Sequence, residues 1–363
     1  MVFLIRSTDV NPDPRVQKYI DYYTKSSIRY KIIAWNRDGN ELSKENTIFF
    51  KNKTSFENGF KNVFKLILWN IFIFKQLFLQ RNKITLIHAC DFDTVIPCMI
   101  IKLIFKKKLV YDIFDWYVDS RNIPRPINYL ILLFELVAFK LSNKIILCEK
   151  ERIEQIPFNF KKNKIIILPN IPSFNLTGFN FKKQNRNQDK LNISYVGVLG
   201  KDRGILNVLE LVSKNPNFAI EVAGFGILEE KVKSYSKRFD NISFLGKVSY
   251  SKGLEIMCNS NVILALYFKS NFNHIYAAPN KFYESLYLGV PIITTKGTLV
   301  GNKVIKYDTG YVYDESEDDI SDFFNNISGL KLKSNNCEIV FKTYKNTTSS
   351  FFNDNYSILI DEK

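Results

Sequence analysis

Short apolar runs alternate with longer amphipathic stretches along this 363-residue chain, and the alternation predicts repeated β–α units. In the first half, residues 3–5, 30–35, 48–50, 85–88, 109–113, 144–148 and 164–168 read as strands. An amphipathic helix is expected at 16–23 and a long one between 50 and 85. Residues 182–190, rich in Asn, Gln and Lys and poor in apolar positions, read as a linker. The pattern then restarts, with strands expected at 191–196, 218–222, 242–245, 261–266 and 290–295. Helices are expected at 205–211, 254–258 and 280–288, from 320 onward, and at 343–359. The whole reads as α/β, with two Rossmann-like domains at 1–180 and 190–342. No period of 20–50 residues marks a repeat protein.

Two stretches of the second half carry candidate chemistry. In A-P-N-K-F-Y-E-S-L-Y-L-G-V-P-I-I-T-T, from Ala278, a Pro suits the helix start, while Gly289 and Pro291 stop the helix before a β-branched strand. Lys281 stands at that helix start, where the dipole favours acids rather than cations. A cation beside free N–H groups makes an anion site, and phosphate is the obvious anion; the alternative is an ordinary surface pair with Glu284. In G-V-L-G-K-D-R-G-I, from Gly197, a strand runs through a Gly-rich turn into a helix, which is also a phosphate-binding arrangement.

Composition narrows the function classes. An apolar fraction of 46% supports filled cores rather than disorder. Five cysteines without C-x-x-C spacing point to a reducing compartment and against a zinc site. The start M-V-F-L-I-R is too short for a signal segment and reads as a first strand. The apolar runs 63–79 and 127–141 are interrupted by polar residues and fall short of the roughly 20 residues a span needs, so buried helices are expected there.

Residues 1–180 hold 28 Lys and Arg against 16 Asp and Glu, a net of +12, while the remainder carries +3. Such a half suits an anionic surface or ligand. Lys106, Lys107 and Lys108 beside the apolar run 99–105 fit an interfacial membrane patch, the alternative being a lysine-rich solvated face. No helix-turn-helix, RNP or zinc-finger pattern points to nucleic acid.

The stretch P-N-K-F-Y-E-S-L-Y-L-G-V-P-I-I resembles the donor-site helix of retaining GT-B glycosyltransferases, especially family 4, in the branch whose motif reads P-x-K-x-x-E. Several further segments match the same family. They are D-P-R-V at 13–16, L-P-N-I-P at 168–172, A-G-F-G at 223–226 and F-L-G-K-V at 244–248. The resemblance implies a GT-B fold, two Rossmann-like domains facing an interdomain cleft, with residues 343–363 crossing back to the first domain. It implies a glycosyltransferase that moves a sugar from a UDP-, GDP- or dTDP-sugar to a glycan acceptor with retention, and that needs no metal or cofactor. Glu284 would bind the ribose hydroxyls. Arg203 before Gly204 would grip the donor diphosphate, with Lys201 or Lys281 replacing a second basic residue whose usual position is Val198. Gly200, Gly224, Val248 and Asn280 complete the donor side. The first acid of the family motif falls at Tyr276, which is not acidic.

On the first half, Arg15, His88 and Asp91 are candidates for the acceptor side, and Asp115, beside a Phe where some relatives carry His, joins Arg203 and Lys281 as a catalytic candidate. Asp91 and Asp93 could equally be helix caps. Arg15 could equally lie at the surface of a helix start. A lipid-linked acceptor in polysaccharide or lipopolysaccharide assembly, with the enzyme cytoplasmic and peripheral on the inner membrane face, accounts for the basic first half. The rivals are a GT-B nucleotide-sugar epimerase and a non-catalytic basic protein binding membrane or nucleic acid.

Overall fold

The computed structural model describes residues 1–8, 13–37, 44–53, 59–121, 123, 125–172, 190–315 and 320–361. The expected linker, apart from Lys190, lies outside them. The chain forms two compact units, Met1–Pro169 with Asn346–Lys363, and Asn170–Lys345.

In the first unit, seven strands form one parallel sheet in the order β3-β2-β1-β4-β5-β6-β7. They are β1 (Val2–Arg6), β2 (Tyr30–Asn36), β3 (Thr47–Lys51), β4 (Leu86–Cys90), β5 (Lys108–Ile113), β6 (Lys144–Leu147) and β7 (Ile165–Ile167). The central strands are apolar on both faces because helices cover both, which is why they read as runs rather than as alternations. One face carries α2 (Gly59–Leu79), α3 (Phe92–Phe105) and α4 (Arg125–Leu141), with α3 packed between the other two. Trp69, Ile73 and Leu77 of α2, Cys98 of α3 and Phe139 of α4 fill that core. The other face carries α1 (Pro14–Lys25) and the C-terminal segment, through Val16, Tyr19, Tyr23, Phe351 and Tyr356. Asp13 caps α1, its carboxylate accepting from the Arg15 and Val16 N–H groups, and Pro14 suits the first turn.

The second unit repeats the plan with six parallel strands in the order β10-β9-β8-β11-β12-β13. These are β8 (Leu191–Val198), β9 (Phe218–Phe225), β10 (Ile242–Phe244), β11 (Val262–Leu264), β12 (Ile292–Thr295) and β13 (Gly310–Tyr313). The helices are α5 (Ile205–Lys214), α6 (Glu229–Arg238), α7 (Tyr250–Cys258), α8 (Asn273–Tyr276), α9 (Asn280–Leu288), α10 (Leu299–Tyr307), α11 (Ile320–Asn325) and α12 (Leu330–Ser350). The helix expected at 343–359 is thus the end of a longer one. It passes into a π-helical turn, Phe351–Tyr356, and a last helix, α13 (Ser357–Asp361). Residues 346–363 group with the first unit.

In both sheets the strand order reverses beside the first strand, between β1 and β4 and between β8 and β11. Open α/β sheets bind ligands at the carboxyl ends of the strands at such a reversal.

Candidate functional site

In the second unit, the carboxyl end of β8 leads into a tight turn, Lys201–Arg203, and then α5. Gly204 sits at φ +62°, and a Cβ there would lie 2.6 Å from Leu266 Cδ1, so glycine suits a turn that closes on the segment after β11. The turn aims Arg203 across the Tyr267 ring, its guanidinium carbon 4.5 Å from the ring centre and its Nε 3.8 Å from an Asp202 oxygen. Lys201 is exposed.

Lys281 comes to the same place from α9. Its ammonium occupies the space that a side chain at Gly197 would need, 2.5 Å from the ideal Cβ position, and lies 5.5 Å from the Tyr195 ring centre. Of the two lysines that could supply the second cation, Lys281 is the one seated at the end of β8. Burial pulls its pKa down to about 8; Arg203 pushes the same way and Glu284 opposes. One turn further along α9, Glu284 is 5% exposed. Burial raises its pKa, against Lys281 and Tyr250, which favour the carboxylate. The buried Tyr250 hydroxyl faces Glu284 and donates toward its carboxylate.

Arg203 from the turn after β8, and Lys281 and Glu284 from α9, therefore converge where the strand order reverses. No opposite charge within hydrogen-bond distance of Lys281 is found among the described residues, so its charge is available to a bound anion. Asn280 opens α9 after Pro279, and Gly224 lies against the Gly197 carbonyl, where a Cβ would sit 1.8 Å away. Val248 is half-buried in the turn between β10 and α7.

The tyrosines that wall this site were not legible beforehand. Tyr195, Tyr250 and Tyr267 come from three elements with no common spacing. Nor did it show that His274 is bound into the turn. His274 Nδ1 lies 2.8 Å from the Phe268 carbonyl, Nε2 lies 3.4 Å from Asp202, and its ring stands edge-on to Tyr267. Tyr276 closes α8, half-buried against Phe272.

The first-unit candidates separate into two groups. Arg15 and His88 are buried around Asp112, which has no exposure. Arg15 pairs with Asp112 through Nη2 and through Nε at 3.3 Å, and Tyr19 donates to it at 2.8 Å. His88 Nε2 lies 3.3 Å from the same carboxylate and Nδ1 2.6 Å from the Tyr356 hydroxyl. Burial would raise Asp112, but Arg15 and His88 hold it well below the ordinary carboxylate range, while burial lowers His88. The polar atoms of these two side chains are engaged inside the first unit. Arg15 is at a helix start, but inside rather than on the surface.

Asp91 and Asp115 lie at the strand ends instead. Asp91 pairs with Arg6 and accepts from the Phe114 N–H at 2.8 Å; Arg6 lies on the Phe114 ring, 4.0 Å from its centre. Burial, then Asp93 and Asp115, push Asp91 up to about 6 against Arg6. It precedes α3 at φ 65°, ψ 166°, a conformation costly for any residue with a side chain, and makes no side-chain cap bond. Its carboxylate instead holds the chain after β5. Asp115 is exposed, 3.9 Å from Arg152. His88, Cys90 and Asp112 have the donor types of a metal site. The buried Arg15 already supplies Asp112 with its counter-charge, so an added cation fits poorly there.

A pH dependence follows for the second-unit site. A diphosphate favours charged Lys281, whose pKa in the free protein is about 8. Affinity for a nucleoside diphosphate therefore falls as pH rises through that value, and binding above it takes up protons. Calorimetry in buffers of different ionisation enthalpy measures both. Constant affinity with no proton uptake across that range removes Lys281 from the anion site.

Residues 177–338 match the family of glycosyl transferases group 1. No curated protein matches the sequence. Among solved structures, Alr3699/HepE from Anabaena in complex with UDP-glucose is similar over 98% of this chain and 99% of its own, with a TM-score of 0.67 at 11% identity. WaaG, a glycosyltransferase involved in lipopolysaccharide biosynthesis, is similar over 99% and 98%, with a TM-score of 0.59 at 12% identity. The sucrose-phosphate synthase of Thermosynechococcus elongatus is similar over 99% and 96%, with a TM-score of 0.67 at 12% identity.

Proposed function

We propose that this chain is a GT-B glycosyltransferase, its residues 177–338 matching the glycosyl transferases group 1, and that the Arg203–Lys281–Glu284 cluster is its donor site. The donor is a nucleotide-sugar, as in the HepE structure that holds UDP-glucose. The observation that carries the reading is the Lys281 ammonium seated against Gly197, within electrostatic reach of Arg203, at the carboxyl end of β8.

The chemistry asked of such a site is to stabilise the nucleoside diphosphate as it leaves and charge develops on its oxygens. Arg203 offers a planar fork to two phosphate oxygens, and Lys281 a point charge. The free N–H groups at the starts of α5 and α9 are further donors to an anion. Their combined charge lets the residues act without a resident metal. Glu284 is a carboxylate acceptor for the ribose hydroxyls. Transfer with retention to a lipid-linked glycan of cell-surface polysaccharide or lipopolysaccharide assembly fits the basic first unit. So does a cytoplasmic enzyme peripheral to the inner face of the membrane. An epimerase would need free acid–base groups, whereas both histidines are held, His88 by Asp112 and Tyr356, His274 by Asp202 and Phe268.

A thermal-shift screen of UDP-, GDP- and dTDP-sugars tests the donor assignment, since a ligand that binds the folded state raises its stability. The base that matters raises the melting temperature; no shift with any of them sinks the site. Glu284→Ala sharpens the test. A hydrogen bond to a charged group is worth roughly 1.5–3 kcal/mol, so donor affinity should fall about ten- to hundredfold while the protein stays folded. Calorimetry showing wild-type affinity in a folded variant removes Glu284 from the ribose.

A further inference from the structure

The helices α2, α3 and α4 each carry a complete inward face, and each is apolar on its outward face as well. On α2, Trp69, Ile73 and Leu77 are buried in the core, yet the opposite stripe reads Phe64, Ile67, Ile71, Lys75 and Phe78. A surface helix of a water-soluble domain shows charged and polar residues there. Ile71 is 58% exposed, Leu103 on α3 61% and Leu133 on α4 57%, so the same inversion runs across three helices packed side by side. Apolar exposure on this scale and in one place marks an interaction surface rather than scattered surface leucines.

The charges say what meets it. The three helices carry two acidic residues, Asp93 and Glu135, and both are buried. Glu135 accepts from the Tyr111 hydroxyl at 2.8 Å inside the core. Lys75, Lys106 and Lys140 are exposed on or just beyond the helices. The face is therefore apolar and cationic with no exposed carboxylate on its helices. A second copy of the same face would set like charges together, whereas an anionic surface complements them. No described helix is long and apolar enough to cross a membrane, which leaves helices lying in the interface.

We propose that the outward faces of α2, α3 and α4 form one surface that docks on an anionic lipid bilayer. Their apolar side chains enter the boundary between headgroups and acyl chains, and the lysines meet the lipid phosphates. The inference rests on the peripheral-membrane part of the reading above and on neither the donor nor the acceptor. It moves the anchor from the Lys106–Lys108 cluster to apolar side chains that the lysines assist.

The test is sedimentation of the full chain with phosphatidylcholine vesicles, with and without phosphatidylglycerol, at low and high salt, while UDP-sugar affinity is measured on the same preparations. Wild type should bind the anionic vesicles and keep part of that binding in high salt, because buried apolar area is not screened. The variant Ile71→Ser/Leu103→Ser/Leu133→Ser should lose about a hundredfold in vesicle binding with its melting temperature and donor affinity unchanged. The variant Lys75→Glu/Lys106→Glu/Lys140→Glu should lose binding chiefly at low salt. Wild-type vesicle binding by the serine variant, complete release of wild type by salt, or no vesicle binding at all overturns the proposal. A wild-type dimer that the serine variant turns into a monomer, read by analytical ultracentrifugation, also overturns it and assigns the face to a second copy. Vesicle binding without donor binding sinks the transfer reading and leaves the surface standing.

Discussion

Arg203→Ala leaves a folded protein whose turnover is lower by about 10²- to 10³-fold, the loss typical of removing one preorganised donor to a developing negative charge. The fold has little to lose. The guanidinium lies on the Tyr267 ring and 3.8 Å from Asp202, beyond hydrogen-bond distance, and the turn is held by Gly204 and the packing of Leu266 and Phe268 around it. Stability should therefore change little. The charge of Lys281 remains in the variant, and the departing Arg203 removes one of the two causes that depress it, so some anion binding persists. Arg203→Lys restores part of the rate only, because a point charge cannot grip two phosphate oxygens as a planar fork does or stack on Tyr267 in the same way. Steady-state kinetics with the donor found in the thermal-shift screen decides it. Turnover within a few-fold of wild type in Arg203→Ala takes this side chain out of the site.

How much of this was legible beforehand depends on how local each signal is. The β–α alternation was, because strands buried on both faces are uninterrupted apolar runs, and α9 fell at 280–288 as expected because Pro279 and Gly289 bracket it. β13 was not read as a strand: Gly310–Tyr313 is four residues long and one of them is glycine. Helix α6 escaped for the opposite reason, since Val232 is its one buried residue and no apolar stripe marks it. Arg203, Lys281 and Glu284 were legible through short motifs around glycines and a helix start. The choice of Lys281 over Lys201 was not, because it depends on the hollow left by Gly197, in another segment of the chain. The reading of α2 and α4 as buried helices was right for one face of each and blind to the other. An all-apolar helix has no period to separate a core face from an exposed one. The burial of Arg15 and His88 was not legible, because their partner, Asp112, is 97 and 24 residues away.

Asp112→Asn should destabilise the first unit by about 3–5 kcal/mol, the cost of leaving a buried charge without its partner. Asparagine keeps the shape and can still accept from Tyr19, so the loss isolates the charge. Arg15, 3% exposed, then remains cationic beside a neutral amide with no water to replace the carboxylate. Arg15→Met should cost less when added to Asp112→Asn than when made alone, and the non-additivity measures the pair. The acid limb carries the sign. The native pKa of Asp112 is depressed below its unfolded value near ~3.9. Its stabilisation is complete above that value and is lost as pH falls through and below it. The gap between wild type and Asp112→Asn in urea midpoint should therefore be widest near neutrality and narrow below about pH 4. The same variants separate a structural Arg15 from one that binds acceptor: an acceptor role predicts a raised KM for acceptor with an unchanged urea midpoint, whereas the buried pair predicts the reverse.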